Sequence, residues 1–390
     1  MKIGLVTGEF PPLQGGVGDY THELAKALAA LGQAVHVVTI RSCAAFRPAA
    51  AAFTLHPVIG RWSCGALVQI RALSQTLQLD ILNVQYQAAA YGLSAPIHFL
   101  PRVCGLGRRR AADSPLKTVV TFHDLRIPYL FPKAGRLRPA AVTYLARSAT
   151  GVIATDPADE AELGRRGIAR LTQIPIGSNI APAPPAGYER SAWRARQGVG
   201  PHEMLLGYFG FLNESKGGDT LIEALARLAE QGVPVKLALI GHRTGSSDAT
   251  NAAFGARLDA LVAQHHLADR ILATGYAKEA EVSAWLLACD ALVLPYRDGV
   301  SFRRGSLMAA LVHGCPIVST EPAAPLPSLR PGENIVLVPP DAPDALVQAV
   351  LELRASPELR ARLGAGAAAL SAQFAWDKIA AQTLEFWRSL

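Results

Sequence analysis

Short β-rich runs alternate with longer helix-patterned segments along this chain, and a proline-rich stretch interrupts the alternation once, near the middle. In the first half the strand runs are Lys2–Thr7, Ala34–Ile40, Ile81–Gln85, Lys117–Phe122, Gly151–Ala154 and Leu171–Ile174. Between the first two, His22–Leu31 repeats its apolar residues at helical spacing, and Gly32 follows where a helix cap would sit. Strand, helix, strand in that order predicts βαβ units and parallel sheets. The stretch from Ile174 to Gly187, IPIGSNIAPAPPAG, suits neither a helix nor a central strand. Beyond it the alternation restarts, with strands at Leu205–Phe209, Val235–Ile240, Ile271–Ala273, Ala291–Leu294 and Pro316–Ser319. The helices between them are Asp219–Gln231, Arg257–His265, Ala280–Leu287 and Ser306–His313, and the chain ends in helices, the last over Trp376–Ser389. The expectation is an α/β protein of two Rossmann-like domains, over 1–180 and 201–373, with a linker at 181–200 and a terminal segment at 374–390. A length of 390 residues suits two domains that each bury a core.

Composition removes several classes. Half the residues are hydrophobic and 18% are charged, which is the balance of a globular chain. No apolar stretch reaches the ~18 residues of a membrane span, and the apolar run in MKIGLVTGEFPP is too short for a signal peptide. Cys43, Cys64, Cys104, Cys289 and Cys315 are odd in number and form no CxxC pair, so they read as reduced thiols and place the protein in the cytoplasm. The net charge of +7 comes with no nucleic-acid recognition module, and no nucleic-acid partner is expected.

In doubly wound sheets, ligands sit beyond the carboxyl ends of the strands, so four loops carry the interest. After the first strand runs GEFPPLQGGVGDY, where Gly15 and Gly16 open a helix. They form either a plain glycine turn or a cradle whose backbone N–H groups approach a diphosphate. This is not GxGxxG, and Arg41 follows the second strand where an NAD enzyme would place a ribose-binding acid. VVTFHD sets His123 and Asp124 at a strand mouth, where the imidazole either bonds a substrate or satisfies the fold. GYFGFLNESKGGD carries Lys216 just before a helix, as a phosphate ligand or an exposed turn lysine. PYRDGVSFRRGS brings Arg303 and Arg304 to the helix start at Gly305 and Ser306, and guanidinium pairs fork onto phosphate oxygens when they are not simply solvated.

Together with IPIGSNI, ALIGH, ATGYAKEAEVSAWLLACDALVLPYRDG, HGCPIVST and FAWDKIAAQTLEFW, these segments make the chain resemble the family 4 retaining glycosyltransferases of the GT-B fold over nearly its whole length. The resemblance implies two Rossmann-like domains facing each other across a cleft, with the terminal helix crossing back onto the N-terminal domain. It implies a nucleotide-diphosphate sugar held mainly by the C-terminal half and a glycan or lipid-linked acceptor held mainly by the N-terminal half. No metal and no other cofactor is required. Position by position, Gly16 offers backbone N–H to the donor phosphate, His123 stands near the transferred sugar, and Lys216 neutralises the leaving diphosphate. Donor contacts are expected from Gly15, Gly16, Phe211, Lys216, Ser301, Arg303, Arg304, Gly305 and Ser306, and acceptor contacts from Gln85, Tyr86 and Asp124. The catalytic residues are expected to be His123 and Lys216.

Three positions depart from the family pattern. Phe211 stands where an arginine usually follows the glycine, and Ser301 and Ala309 stand where the family carries two glutamates. Arg303 or Arg304 is expected to restore the charge lost at Phe211. Asp156-Pro157-Ala158-Asp159 has the wrong spacing for a DxD metal site. The other reading is a non-catalytic nucleotide-sugar-binding relative that acts as a partner or regulatory subunit. Arg108, Arg109 and Arg110, beside apolar residues, form either a solvated loop or a peripheral contact with an anionic membrane at its inner face.

Overall fold

The computed structural model describes residues 1–47, 52–105, 116–125, 137–210, 213–241 and 249–390. The expectations for Arg108–Arg110 and Phe211 fall outside these. The chain divides into two compact units, Met1–Gly177 with Ala375–Leu390, and Ser178–Phe374.

The first unit runs β1 (Lys2–Thr7), α1 (Gly16–Ala30), β2 (Ala34–Ile40), β3 (Thr54–Ile59), α2 (Cys64–Thr76), β4 (Ile81–Tyr86), α3 (Leu100–Gly105), β5 (Lys117–Phe122), α4 (Leu137–Ser148), β6 (Gly151–Ala154), α5 (Pro157–Arg165) and β7 (Leu171–Gln173). Its seven strands pair in parallel in the order β3-β2-β1-β4-β5-β6-β7. The winding direction therefore reverses between β1 and β4, the place where such sheets open for ligands. Central strands such as β1 and β4 are buried on both faces, which is why they read as near-continuous apolar runs. Strand β3 was not expected. Its sequence TLHPVI contains Pro57, which lacks an N–H, and such a strand fits at the sheet edge that β3 occupies. Helix α1 begins six residues before the apolar repeat suggests, because its first turn is built from Gly16, Val17 and Gly18.

The second unit runs α6 (Arg190–Arg196), β8 (Met204–Phe209), α7 (Gly218–Glu230), β9 (Val235–Ile240), α8 (Ala249–Gln264), β10 (Ile271–Ala273), α9 (Glu279–Ala288), β11 (Ala291–Leu294), α10 (Gly305–Val312), β12 (Ile317–Thr320), β13 (Val336–Val338), α11 (Pro343–Ala355) and α12 (Pro357–Ser371). Six parallel strands follow the order β10-β9-β8-β11-β12-β13, with the reversal between β8 and β11. The stretch 181–200, expected as a linker, instead carries α6 as part of this unit. The Glu189 carboxylate caps that helix by accepting from the Ser191 and Ala192 amides at 3.0 and 2.7 Å. On its inner side the nearly buried Arg194 donates to Asp290 at 2.9 Å and to the Glu203 carbonyl at 2.6 Å. Asp290 also accepts from the Leu205 amide at 2.7 Å, so one carboxylate ties α6 to β8.

The last helix, α13 (Trp376–Ser389), belongs to the first unit. Its buried Ile379, Ala380, Thr383, Leu384 and Trp387 recur at helical spacing and form one stripe. The apolar members of that stripe join Leu24 and Leu28 of α1 and Ile3 and Leu5 of β1 in a single core cluster. All five cysteines are free thiols, and among the described residues no helix is long and apolar enough to cross a membrane.

Candidate functional site

In the second unit the loops after β8 and β11 meet at the reversal point. The Arg297 amide donates to the Ser215 carbonyl at 2.9 Å, joining the two loops through backbone. The Arg297 guanidinium then clamps the buried Asp219 at the start of α7 and Asp341, each at 2.7 Å. Gly217 passes directly beneath the second loop: with φ +63°, a Cβ on it would lie 2.0 Å from the Pro295 carbonyl oxygen.

This closure places the Lys216 ammonium against Gly210, 3.2 Å from where a Cβ of that glycine would sit, with the Ser306 Cβ at the head of α10 lying 4.0 Å from the same point. Burial, assisted by the charge of Arg304, pulls the lysine down to about 8 from its usual 10.5. Arg304 is held on both sides: its guanidinium bonds Asp298 and lies 4.8 Å from the centroid of the Tyr296 ring. The buried Tyr296 hydroxyl in turn pairs with Ser306 Oγ at 2.7 Å. The Ser301 carbonyl accepts from the Arg304 amide at 3.2 Å and closes the turn that feeds α10, while Gly305 is exposed at its first position. Arg303 is half-buried beside it. Lys216, Arg304, Gly305 and Ser306 thus come together at one strand-end opening. Ala309 lies buried inside α10 and has only its carbonyl to offer, which accepts from His313 Nδ1 at 2.7 Å.

In the first unit the glycine loop holds an anion of its own. The Glu9 carboxylate accepts from the Val17 amide at 3.0 Å and from the Gly18 amide at 3.4 Å, capping α1 from outside the helix. Gly15 makes the room, because a Cβ there would stand 2.2 Å from the Glu9 carboxyl carbon. Gly16 is exposed with open space beside it, so its side of the helix end is accessible. Burial raises the Glu9 carboxyl above the usual carboxylate range despite these two amide bonds, which pull the other way. A raised carboxyl binds more protons folded than unfolded, so it contributes stability at low pH that is lost as pH rises through its folded value. Accordingly Glu9→Gln is expected to change stability at pH 7 by under ~1 kcal/mol, with the wild type gaining on the variant as pH falls toward 5. Urea denaturation at both pH values measures this.

On β4 and β5, Gln85 lies opposite Thr121, and His123 follows two residues later on the same face. His123 Nε2 pairs with Gln85 Oε1 at 3.0 Å, and its ring sits 4.6 Å from that of the buried Tyr20, edge to face. Tyr20 packs in turn on Trp376 of α13 at 5.2 Å. Burial pushes the imidazole down to about 3, so His123 is neutral at neutral pH. It therefore works through hydrogen bonds and not as a cation.

Two of the three expected acceptor contacts turn inward. Gln85 is fully buried and commits its amide to Asn83 and His123. Tyr86 is 2% exposed and its hydroxyl pairs with His98 at 2.8 Å. Neither has surface for an acceptor, because both belong to a strand buried along its whole length. Asp124 is half-buried and accepts from Gln87 at 2.9 Å. Glu9, Tyr20, Asn83 and Arg297 were not singled out from sequence. Asn83 and Gln85 did leave a signal: two amides at period two in an otherwise apolar strand require buried partners.

Comparison with known proteins agrees with this architecture. Residues 203–356 match the model of the Glycosyl transferases group 1, and residues 15–177 match the Glycosyl transferase 4-like domain. The D-inositol 3-phosphate glycosyltransferase of Streptomyces bingchenggensis is 28% identical over 51% of this chain and 43% of its own length. That of Xylanimonas cellulosilytica is 30% identical over 56% and 51%, so these matches span about half the length of the relatives. Its counterpart in Arthrobacter sp. strain FB24 is 26% identical over 96% of this chain and 90% of its own. Among solved structures, sucrose-phosphate synthase from Thermosynechococcus elongatus superimposes with TM-score 0.76 at 21% identity, covering 100% of this chain and 98% of that one. Anabaena HepE in complex with UDP and glucose gives 0.74 at 21% identity, with both chains fully covered. The chain therefore belongs to the family 4, group 1 glycosyltransferases, and its two parallel-sheet units are those of the GT-B fold.

Proposed function

We propose that this protein is a retaining, metal-independent glycosyltransferase that moves a sugar from a nucleotide-diphosphate sugar to a glycan or lipid-linked acceptor. The observation that carries this reading is the Lys216 ammonium, desolvated at the β8 opening beside Arg304 and the N-terminus of α10. A strand-end opening with two fixed cations and a helix N-terminus suits a diphosphate, and this one lies in the unit expected to bind the donor. Anabaena HepE, similar in fold, is known in complex with UDP-glucose, which makes uridine sugars the first donors to try.

In the reaction the bond between sugar C1 and the diphosphate oxygen breaks, and C1 bonds the acceptor oxygen on the same face. The acceptor proton passes to the departing phosphate oxygen, so no protein base is needed. Catalysis then consists of placing positive charge where the leaving group becomes more negative, which Lys216 and Arg304 do without a metal ion. His123, neutral, serves by positioning a sugar hydroxyl. The Arg108–Arg110 segment is proposed as a peripheral contact with anionic lipid, which would bring the enzyme to a lipid-linked acceptor at the inner face of the membrane.

A thermal-shift panel of nucleotide sugars, followed by hydrolysis and transfer assays of any binder in EDTA, tests the proposal. Binding of at least one nucleotide sugar and turnover unaffected by EDTA are expected. Arg304→Ala is expected to weaken donor affinity about tenfold, and Arg303→Ala less. No binding by any nucleotide sugar would overturn the reading, and binding without turnover would transfer it to a non-catalytic role.

A further inference from the structure

His123 is useful to a substrate only if its ring presents the right nitrogen in the right state, and the structure contains a device that decides this. Asn83, Gln85 and Thr121 are all at most 1% exposed and form a continuous chain of hydrogen bonds ending at the imidazole. Thr121 Oγ1 donates to Asn83 Oδ1 at 3.2 Å and receives the Asn83 amide at 3.0 Å. The same Asn83 Oδ1 receives the Gln85 side-chain amide, which turns the Gln85 carbonyl toward His123. A carbonyl can only accept, so the ring nitrogen facing it at 3.0 Å must carry the proton.

From this geometry we infer that Gln85 is a positioning residue that locks His123 as the Nε2–H tautomer, leaving Nδ1 as a bare acceptor for a hydroxyl of the bound substrate. Among the described residues no group pairs with Nδ1. The edge-to-face contact with Tyr20 restricts ring rotation, so the tautomer also sets the direction of the lone pair. Among the described residues, ionisable neighbours of the ring include the adjacent Asp124, which accepts from Gln87, and Tyr20, whose phenol burial keeps un-ionised. A neutral ring that accepts a hydrogen bond discriminates for substrates with a hydroxyl at that point, since a deoxy analogue leaves the site unpaired.

The inference rests on the transferase reading only for the identity of the hydroxyl, because the tautomer is measurable without substrate. Long-range proton–nitrogen NMR on the full chain labelled at its ten histidines, with His123 assigned by His123→Gln, reads the protonated nitrogen directly. The expected wild-type signature is protonated Nε2 and bare Nδ1, unchanged between pH 5 and 8. Gln85→Met, near-isosteric but without a carbonyl, is expected to release the lock and give a mixture of tautomers. Gln85→Glu keeps an acceptor and is expected to retain Nε2–H while raising the pH at which the ring becomes charged. In transfer assays Gln85→Met should lower kcat about tenfold and leave KM for the donor within twofold, with Gln85→Glu closer to wild type at high pH. A wild-type ring protonated at Nδ1, or a Gln85→Met ring with the wild-type signature, overturns the inference. Should Gln85→Met fail to fold, the wild-type spectrum alone decides. The expected tautomer together with absent transferase activity would leave the positioning role standing and remove the transferase reading instead.

Discussion

Lys216→Met is expected to lower kcat/KM about 10²–10³-fold and at the same time to raise the thermal midpoint of the unliganded protein. Removing one preorganised charge from a developing anion costs on the order of 3–4 kcal/mol of transition-state stabilisation. The stability gain follows from the same burial. Lys216 titrates near 8 in the folded protein against 10.5 ordinarily, so the folded state binds fewer protons across that window. Stability of the wild type therefore rises with pH between about 8 and 10.5, and this dependence is expected to vanish in Lys216→Met. Activity runs the opposite way: kcat/KM should fall as pH rises through about 8, because the free enzyme loses its ammonium there. Steady-state kinetics and calorimetry across pH 7–10 check both. A variant that is less stable and equally active would place Lys216 outside the site.

A comparison of two glycines separates backbone strain from close packing. Gly217 and Gly232 have nearly the same positive φ, +63° and +68°. A Cβ on Gly232 meets nothing within 4 Å, whereas one on Gly217 would lie 2.0 Å from the Pro295 carbonyl. Gly232→Ala should thus cost only the strain of a left-handed alanine, about 1 kcal/mol. Gly217→Ala adds a backbone clash that no rotamer relieves and is expected to cost on the order of 3 kcal/mol or more. It should also part the loops after β8 and β11, carrying Lys216 away from Ser306 and abolishing transfer. Denaturant unfolding of both variants, with donor affinity measured on the folded fraction, gives the result. Equal losses in the two would mean that the contact beneath Pro295 is not needed.

Most strands and the two-domain plan were legible in the pattern of residues because parallel central strands are buried on both faces and read as short apolar runs. Strands β3 and β13 escaped for the opposite reason. Both sit at sheet edges, where one side needs no partner and a run can be short or contain proline. The terminal helix was legible to the residue, since its apolar stripe is regular over four turns. The linker was misjudged because the prolines that end at Pro185 do mark a break, yet α6 begins only five residues later and is held by Asp290, about a hundred positions away.

Sequence by itself determined the fold class, the family, and the loops in which chemistry would be found, since these depend on periodicity and on short motifs at strand ends. Tertiary structure decided what each polar residue does there. It turned Gln85 and Tyr86 inward, filled the α1 terminus with Glu9, and buried Lys216 within reach of the Arg304 charge, so that its proton affinity falls. The physical reason is that a side chain's proton affinity and hydrogen-bond direction depend on neighbours within a few ångströms. Here those neighbours come from strands and loops tens of residues apart, such as the 38 positions between Gln85 and His123, and no local pattern encodes them.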